Sequence, residues 1–193
     1  MTAGNRFLFN MVTLRNSHYL LLLFCLVFSL RATAGEVMIS YGGGPQQYDS
    51  DQHNRGWGVD YSFYKIVRSV RSELSFGVGY TRLVNDADTH DSMYSISLYP
   101  QLTLYPGNPV KSNPFFFVRA LGPSYISDNQ FGSREQNNHF SFQSQVGIGI
   151  RPYMTASQEI RIMLSWKHFS NANLFTDNDG FDLPVTLSLG FDL

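Results

Sequence analysis

The sequence predicts an all-β protein: an eight-stranded antiparallel transmembrane β-barrel of the outer-membrane type. Three observations predict it. Eight segments alternate apolar and non-apolar residues with the period of two that a strand requires. Their non-apolar positions hold Ser, Thr, Gly, Gln, Arg and Lys, which suits a polar interior enclosed by an apolar outer band. The last segment keeps alternating to the final residue, Leu193. A secreted sandwich also alternates, but it does not ask for an even strand number or for connections that alternate in length.

The first segment carries Val37, Ile39 and Tyr41 on one parity, and the second Trp57, Val59, Tyr61 and Phe63. The third has Leu74, Phe76, Val78 and Tyr80, with Ser75, Gly77 and Gly79 between them. The fourth has Tyr94, Ile96, Leu98, Leu102 and Leu104. The fifth, Phe115 to Tyr125, is apolar on both parities, so its faces stay unassigned. The sixth sets Phe140, Phe142, Val146, Ile148 and Ile150 against Ser141, Gln143, Gln145 and Gly147. The seventh sets Ile160, Ile162, Leu164 and Trp166 against Arg161, Ser165 and Lys167. The eighth sets Val185, Leu187, Leu189, Phe191 and Leu193 against Thr186, Ser188, Gly190 and Asp192. This ending is similar to the C-terminal strand of outer-membrane barrels, with Leu193 where an aromatic is usual.

Compact links are expected at Arg68–Arg71, Pro106–Pro109 and Pro152–Thr155. Polar and longer links are expected at Gln46–Asn54, Asn85–Asp91, Asp128–Asn138 and Ser170–Leu183. In bacterial barrels the short turns are periplasmic and the long loops extracellular.

Residues 1–34 read as a secretory signal peptide and 35–193 as the barrel. Arg6 and Arg15 precede an apolar run from Tyr19 to Leu30, and Ala32-Thr33-Ala34 gives a small-x-small cleavage site. The run falls short of the roughly 20 residues of a membrane-spanning helix. The single cysteine, Cys25, lies inside it, so disulfide and thiol chemistry are not expected of the mature chain. With 14 Lys+Arg against 15 Asp+Glu, the chain lacks the basic excess of a nucleic-acid binder.

His168 and Ser170 end the seventh segment, on the parity of its apolar residues. Residues i and i+2 of a strand share a face, so both are expected to project from the outer surface. A histidine so placed can take a proton from a serine if a third group orients the ring. Trp166, just before them, suits an interfacial aromatic belt. No metal-ligand spacing is present: His53, His90 and His139 are scattered. The run Asp177-Asn178-Asp179-Gly180 lacks the spacing of an EF-hand loop and suits a turn.

The stretch His168-Phe169-Ser170-Asn171-Ala172, followed by Asn178-Asp179-Gly180-Phe181-Asp182, resembles the active-site region of the lipid A 3-O-deacylases. That resemblance implies an eight-stranded outer-membrane barrel that removes the ester-linked acyl chain at position 3 of lipid A. It implies Ser170 as nucleophile and His168 as base, with Asn178 helping to form the oxyanion hole and Asn171 positioning the loop. It implies no metal or cofactor, lipid A or lipopolysaccharide as partner, and an extracellular-side site. A homodimer is open to such a chain. The family's acid is a glutamate; here the matching position holds Asp182, which must approach by roughly 1.5 Å more. Asp177 and Asp179 are alternative acids. An esterase acting on glycerophospholipids and a non-catalytic structural or adhesive barrel are the competing functions.

Overall fold

A computed structural model describes residues 35–107, 114–155 and 158–193. The signal-peptide expectation for 1–34 and part of the Pro106–Pro109 link lie outside the described residues. The barrel strands are β1 (Glu36–Gln46), β2 (Asp49–Ser69), β3 (Ser72–Asn85), β4 (Ser92–Leu104) and β5 (Phe115–Ile126). They continue with β8 (Phe140–Met154), β9 (Glu159–Ser170) and β10 (Phe181–Asp192). A two-stranded hairpin, β6 (Gln130–Phe131) with β7 (Arg134–Glu135), stands in the link between β5 and β8. All neighbouring barrel strands are antiparallel, and β1 pairs with both β2 and β10, so the sheet closes into an eight-stranded barrel. Closure pairs every barrel strand with two neighbours, as hydrocarbon surroundings demand of a membrane-spanning sheet.

Alternation sets the two faces. In β9, Ile162, Leu164 and Trp166 are exposed, while Arg161, Met163, Ser165 and Lys167 are buried in the lumen. In β10, Val185, Leu187, Leu189 and Phe191 point outward and Thr186, Ser188 and Gly190 inward. Near the long-loop end an outer row of rings crosses four strands: Trp57 on Tyr80, Tyr80 on Tyr94, and Tyr94 on Tyr125, with centroids 5.5, 5.9 and 6.3 Å apart. Such a row is an aromatic girdle, which sits where hydrocarbon meets headgroups.

The ambiguous fifth segment is resolved by a bulge. Phe116 and Val118 point outward, whereas past the register shift between Arg119 and Gly122 it is Tyr125 that does so. Leu121 sits at the shift with a left-handed φ of 53°. An extra residue swaps parity, so both parities carry apolar side chains without contradiction. A similar shift between Ser62 and Tyr64 turns Tyr64 and Ile66 outward below Phe63.

Two boundary expectations are corrected. The polar stretch 46–54 is no long loop: β1 runs through Gln46, a two-residue turn follows at Gln47–Tyr48, and β2 starts at Asp49. Its even residues Gln52 and Asn54 are buried, continuing the inward parity of Asp60. At the other end β8 continues through Pro152, Tyr153 and Met154, past a shift between Ile150 and Tyr153.

The lumen is filled. Arg161 reaches Glu73 at 2.9 Å, Glu159 at 2.5 Å and Glu36 at 3.5 Å. Arg119 reaches Asp60 at 2.6 Å and lies 3.8 Å over the Tyr99 ring. Buried charges are tolerable only when paired in this way. At the long-loop end Leu83, Met93, Ile126, Phe131, Phe169, Phe181 and Leu183 form an apolar cap, to which the small hairpin contributes Phe131.

Candidate active site

His168 and Asp182 form a directly opposed cross-strand pair between β9 and β10. Opposed residues share a face and their Cβ atoms lie about 5 Å apart, within reach of a short side chain. His168 Nδ1 lies 2.8 Å from Asp182 Oδ1. The imidazole is partly accessible, at 27 % of its side chain, whereas Asp182 is 2 % exposed. A carboxylate bonded at Nδ1 favours the tautomer with the proton there, which leaves Nε2 free to accept.

Two other contacts fix the ring. Trp166 stacks on it, with centroids 5.3 Å apart and planes 25° from parallel. Gly180, whose φ is +59°, packs against its edge: a Cβ there would lie 2.8 Å from His168 Cε1. Both the backbone conformation and this approach call for glycine.

Asp182 is itself clamped by residues that the sequence reading did not single out. Gln46 Nε2 donates to Asp182 Oδ2 at 2.9 Å, and Gln46 Oε1 accepts the Asp182 N–H at 3.1 Å. Asn54 Nδ2 donates to the Asp182 carbonyl at 2.9 Å and to Gln46 Oε1 at 2.6 Å. The β1–β10 ladder ends at Gly43 and Val185, so these amides replace the missing strand at Asp182. Pro184, which has no N–H to give, sits in the register shift of β10 between Leu183 and Thr186. The signal for Gln46 and Asn54 lies in parity: Asn54, Gly56, Gly58 and Asp60 form one inward row.

Ser170 is partly exposed, on the same face as His168, and pairs across β8 with Phe142. Among the described residues its hydroxyl has no hydrogen-bond partner, so His168 and Asp182 are joined while Ser170 stands alongside. Asn171 is fully buried; its side-chain amide donates to the Asp177 carbonyl at 3.3 Å. Asn178 Oδ1 accepts the Asn171 N–H at 2.7 Å, and Asn178 Nδ2 donates to Asn173 Oδ1 at 2.9 Å. The two asparagines brace the loop that follows Ser170, and the Asn178 amide retains a second proton. That loop holds Ala172, Asn173 and Asp177 at left-handed φ values of 55°, 59° and 55°. Such strain persists only where surrounding contacts enforce it.

Neither alternative acid touches the imidazole. Asp179 Oδ2 accepts the Glu135 N–H at 3.0 Å, and the Asp179 carbonyl accepts from Arg134. Asp177 is exposed on the loop. His53 pairs with Asp86 and His90 with Asp128, while His139 stacks on Tyr125. Among the described residues no three of His, Cys, Asp and Glu gather as metal ligands.

A closed antiparallel barrel with an apolar outer band and a packed polar lumen defines the class, a small outer-membrane β-barrel, and this one carries a His–Asp pair on its outer wall. The family model of lipid A 3-O-deacylase (PagL) matches residues 39–191, and the chain belongs to that family. The crystal structure of the outer membrane enzyme PagL is similar at 17% identity and a TM-score of 0.56, over 82% of this chain and 98% of that one. The crystal structure of Neisserial surface protein A is similar at 13% identity and 0.51, over 83% of this chain and 95% of that one. These likenesses show the barrel fold. No curated protein matches the chain.

Proposed function

We propose that this chain is an outer-membrane lipid A 3-O-deacylase whose triad is Ser170, His168 and Asp182. The observation that carries the reading is the His168–Asp182 bond of 2.8 Å on the outward face of the barrel, with Ser170 beside it. Membership of the deacylase family supports the substrate. An outer-wall site also suits an ester carried by a membrane lipid, which reaches it by lateral diffusion.

Ser170 Oγ attacks the carbonyl carbon of the 3-linked ester while His168 Nε2 takes the hydroxyl proton. Asp182 stabilises the imidazolium through Nδ1. The tetrahedral intermediate collapses, the sugar oxygen leaves with the proton from Nε2, and an acyl-enzyme remains. Water, deprotonated by His168, then releases the 3-hydroxy fatty acid and restores Ser170. The second proton of the Asn178 amide is the candidate oxyanion donor, and loss of such a donor costs about 100- to 1000-fold in rate. The Ser170 hydroxyl and the imidazole come into hydrogen-bond contact in the substrate complex, as catalytic bonds commonly tighten there. The active end faces the cell exterior, the side of the long loops.

Mass spectrometry of lipid A from cells with and without the protein tests the reading. Loss of one 3-linked hydroxyacyl group is expected. Unchanged lipid A with a correctly inserted barrel overturns it, and loss of fatty acid from glycerophospholipids instead would mark a different lipid esterase.

A further inference from the structure

Along the wall from β9, past β10, the outward face is interrupted. Gly43 of β1 pairs with Val185 of β10 on one side and with Arg55 of β2 on the other. Arg55 and Val185 are exposed, and Gly43 between them carries no side chain. The next outward row is complete, with Tyr41 between Leu187 and Trp57. The gap is a notch of about 650 Å³, bounded by Tyr41, Val185, Leu187 and Arg55, with His53 and Asp86 at its rim. Packing fixes the glycine, because a Cβ at Gly43 would lie 2.4 Å from the Asn54 carbonyl oxygen.

The walls differ in chemistry. One is aliphatic and aromatic; the other is a guanidinium. Among the described residues Arg55 makes no direct hydrogen bond or ion pair; its charge acts on the neighbouring Asp86, whose carboxylate is held by the His53 N–H at 2.8 Å. An apolar slot beside an arginine whose N–H groups are not engaged matches an acyl chain whose headgroup carries phosphate, which a guanidinium grips with two parallel bonds. At about 4.8 Å per strand, Gly43 lies about 10 Å from β9 and Arg55 about 14 Å. One glycolipid with several chains and phosphates spans that distance.

We propose that this notch seats a second acyl chain of the lipid whose ester lies at Ser170, with a phosphate of the same molecule on Arg55. This rests on the deacylase reading above. The test uses the purified full chain in detergent micelles with three substrates: phosphorylated lipid A, phosphatase-treated lipid A and a single-chain 4-nitrophenyl ester. Arg55→Ala is expected to raise KM about tenfold for phosphorylated lipid A, the worth of one charged contact, with kcat unchanged. It should leave the other two substrates unaffected. Val185→Trp, which fills the notch from its open side without disturbing Gly43, should raise KM for both lipid A forms and spare the ester. Wild-type protein that deacylates lipid A while both variants match it overturns the notch and leaves the function standing. Wild-type protein that leaves lipid A intact overturns the deacylase reading and this inference together.

Discussion

Asp182 stands directly across the β9–β10 ladder from His168, and their side chains meet at 2.8 Å. This relationship answers the difficulty of the missing methylene. A residue squarely opposite its partner needs little reach, and aspartate has enough. Asp182→Asn should keep the barrel but favour the wrong tautomer, lowering kcat by about 10⁴-fold. Asp182→Glu should lower kcat a few-fold rather than raise it, because the added methylene must enter a site that is 2 % exposed. Steady-state kinetics of both variants, with heat-shifted gel mobility as the check on folding, decide the matter.

Gln46 holds the second carboxylate oxygen of Asp182. Gln46→Leu leaves that oxygen and the Asp182 N–H unpartnered, at a cost of about 1–3 kcal/mol for a buried group. The expected result is a kcat reduced about tenfold with KM nearly unchanged, since no substrate contact is lost. Gln46→Glu should be worse, because it sets a carboxylate against Asp182 Oδ2.

Gly180→Ala tests how tightly the ring is held. The new Cβ would meet His168 Cε1 at 2.8 Å and sit at a φ of +59°. The backbone strain alone amounts to about 1–2 kcal/mol. Displacing the imidazole should reduce kcat well beyond that loss of stability, read by parallel melting and kinetic measurements.

Arg161 tests the lumen independently of the site. Arg161→Met leaves Glu36, Glu73 and Glu159 without their shared cation. Breaking a buried ion pair in this way costs about 3–5 kcal/mol. Arg161 lies seven residues from His168 along β9, roughly 23 Å away. Urea unfolding should therefore shift strongly, while kcat of the folded fraction stays at the wild-type value.

Much of the fold was legible because one face of each strand meets an apolar surface and the other a packed polar lumen. Strand parity alone puts His168 and Ser170 on the outer wall, and β9 keeps that parity throughout. Legibility failed where the period breaks. Leu121 swaps the parity of β5, so its apolar residues fall on both faces of the pattern. The β1–β2 hairpin was hidden for another reason: Gln46, Gln52 and Asn54 are polar because they face the lumen and brace one another and Asp182, yet a polar run reads as a loop. The clamp on Asp182 was therefore invisible, since it joins residues 136 positions apart. Asp182 was marked by resemblance and His168 by parity; their pairing appears only in the register of β9 and β10.

The central claim is that Ser170 is the nucleophile of a lipid A deacylase. The most direct test compares purified wild-type protein and Ser170→Ala in release of 3-hydroxy fatty acid from lipid A. The account predicts release by the wild type and none above background by a folded Ser170→Ala barrel. Release by that variant at the wild-type rate would contradict it.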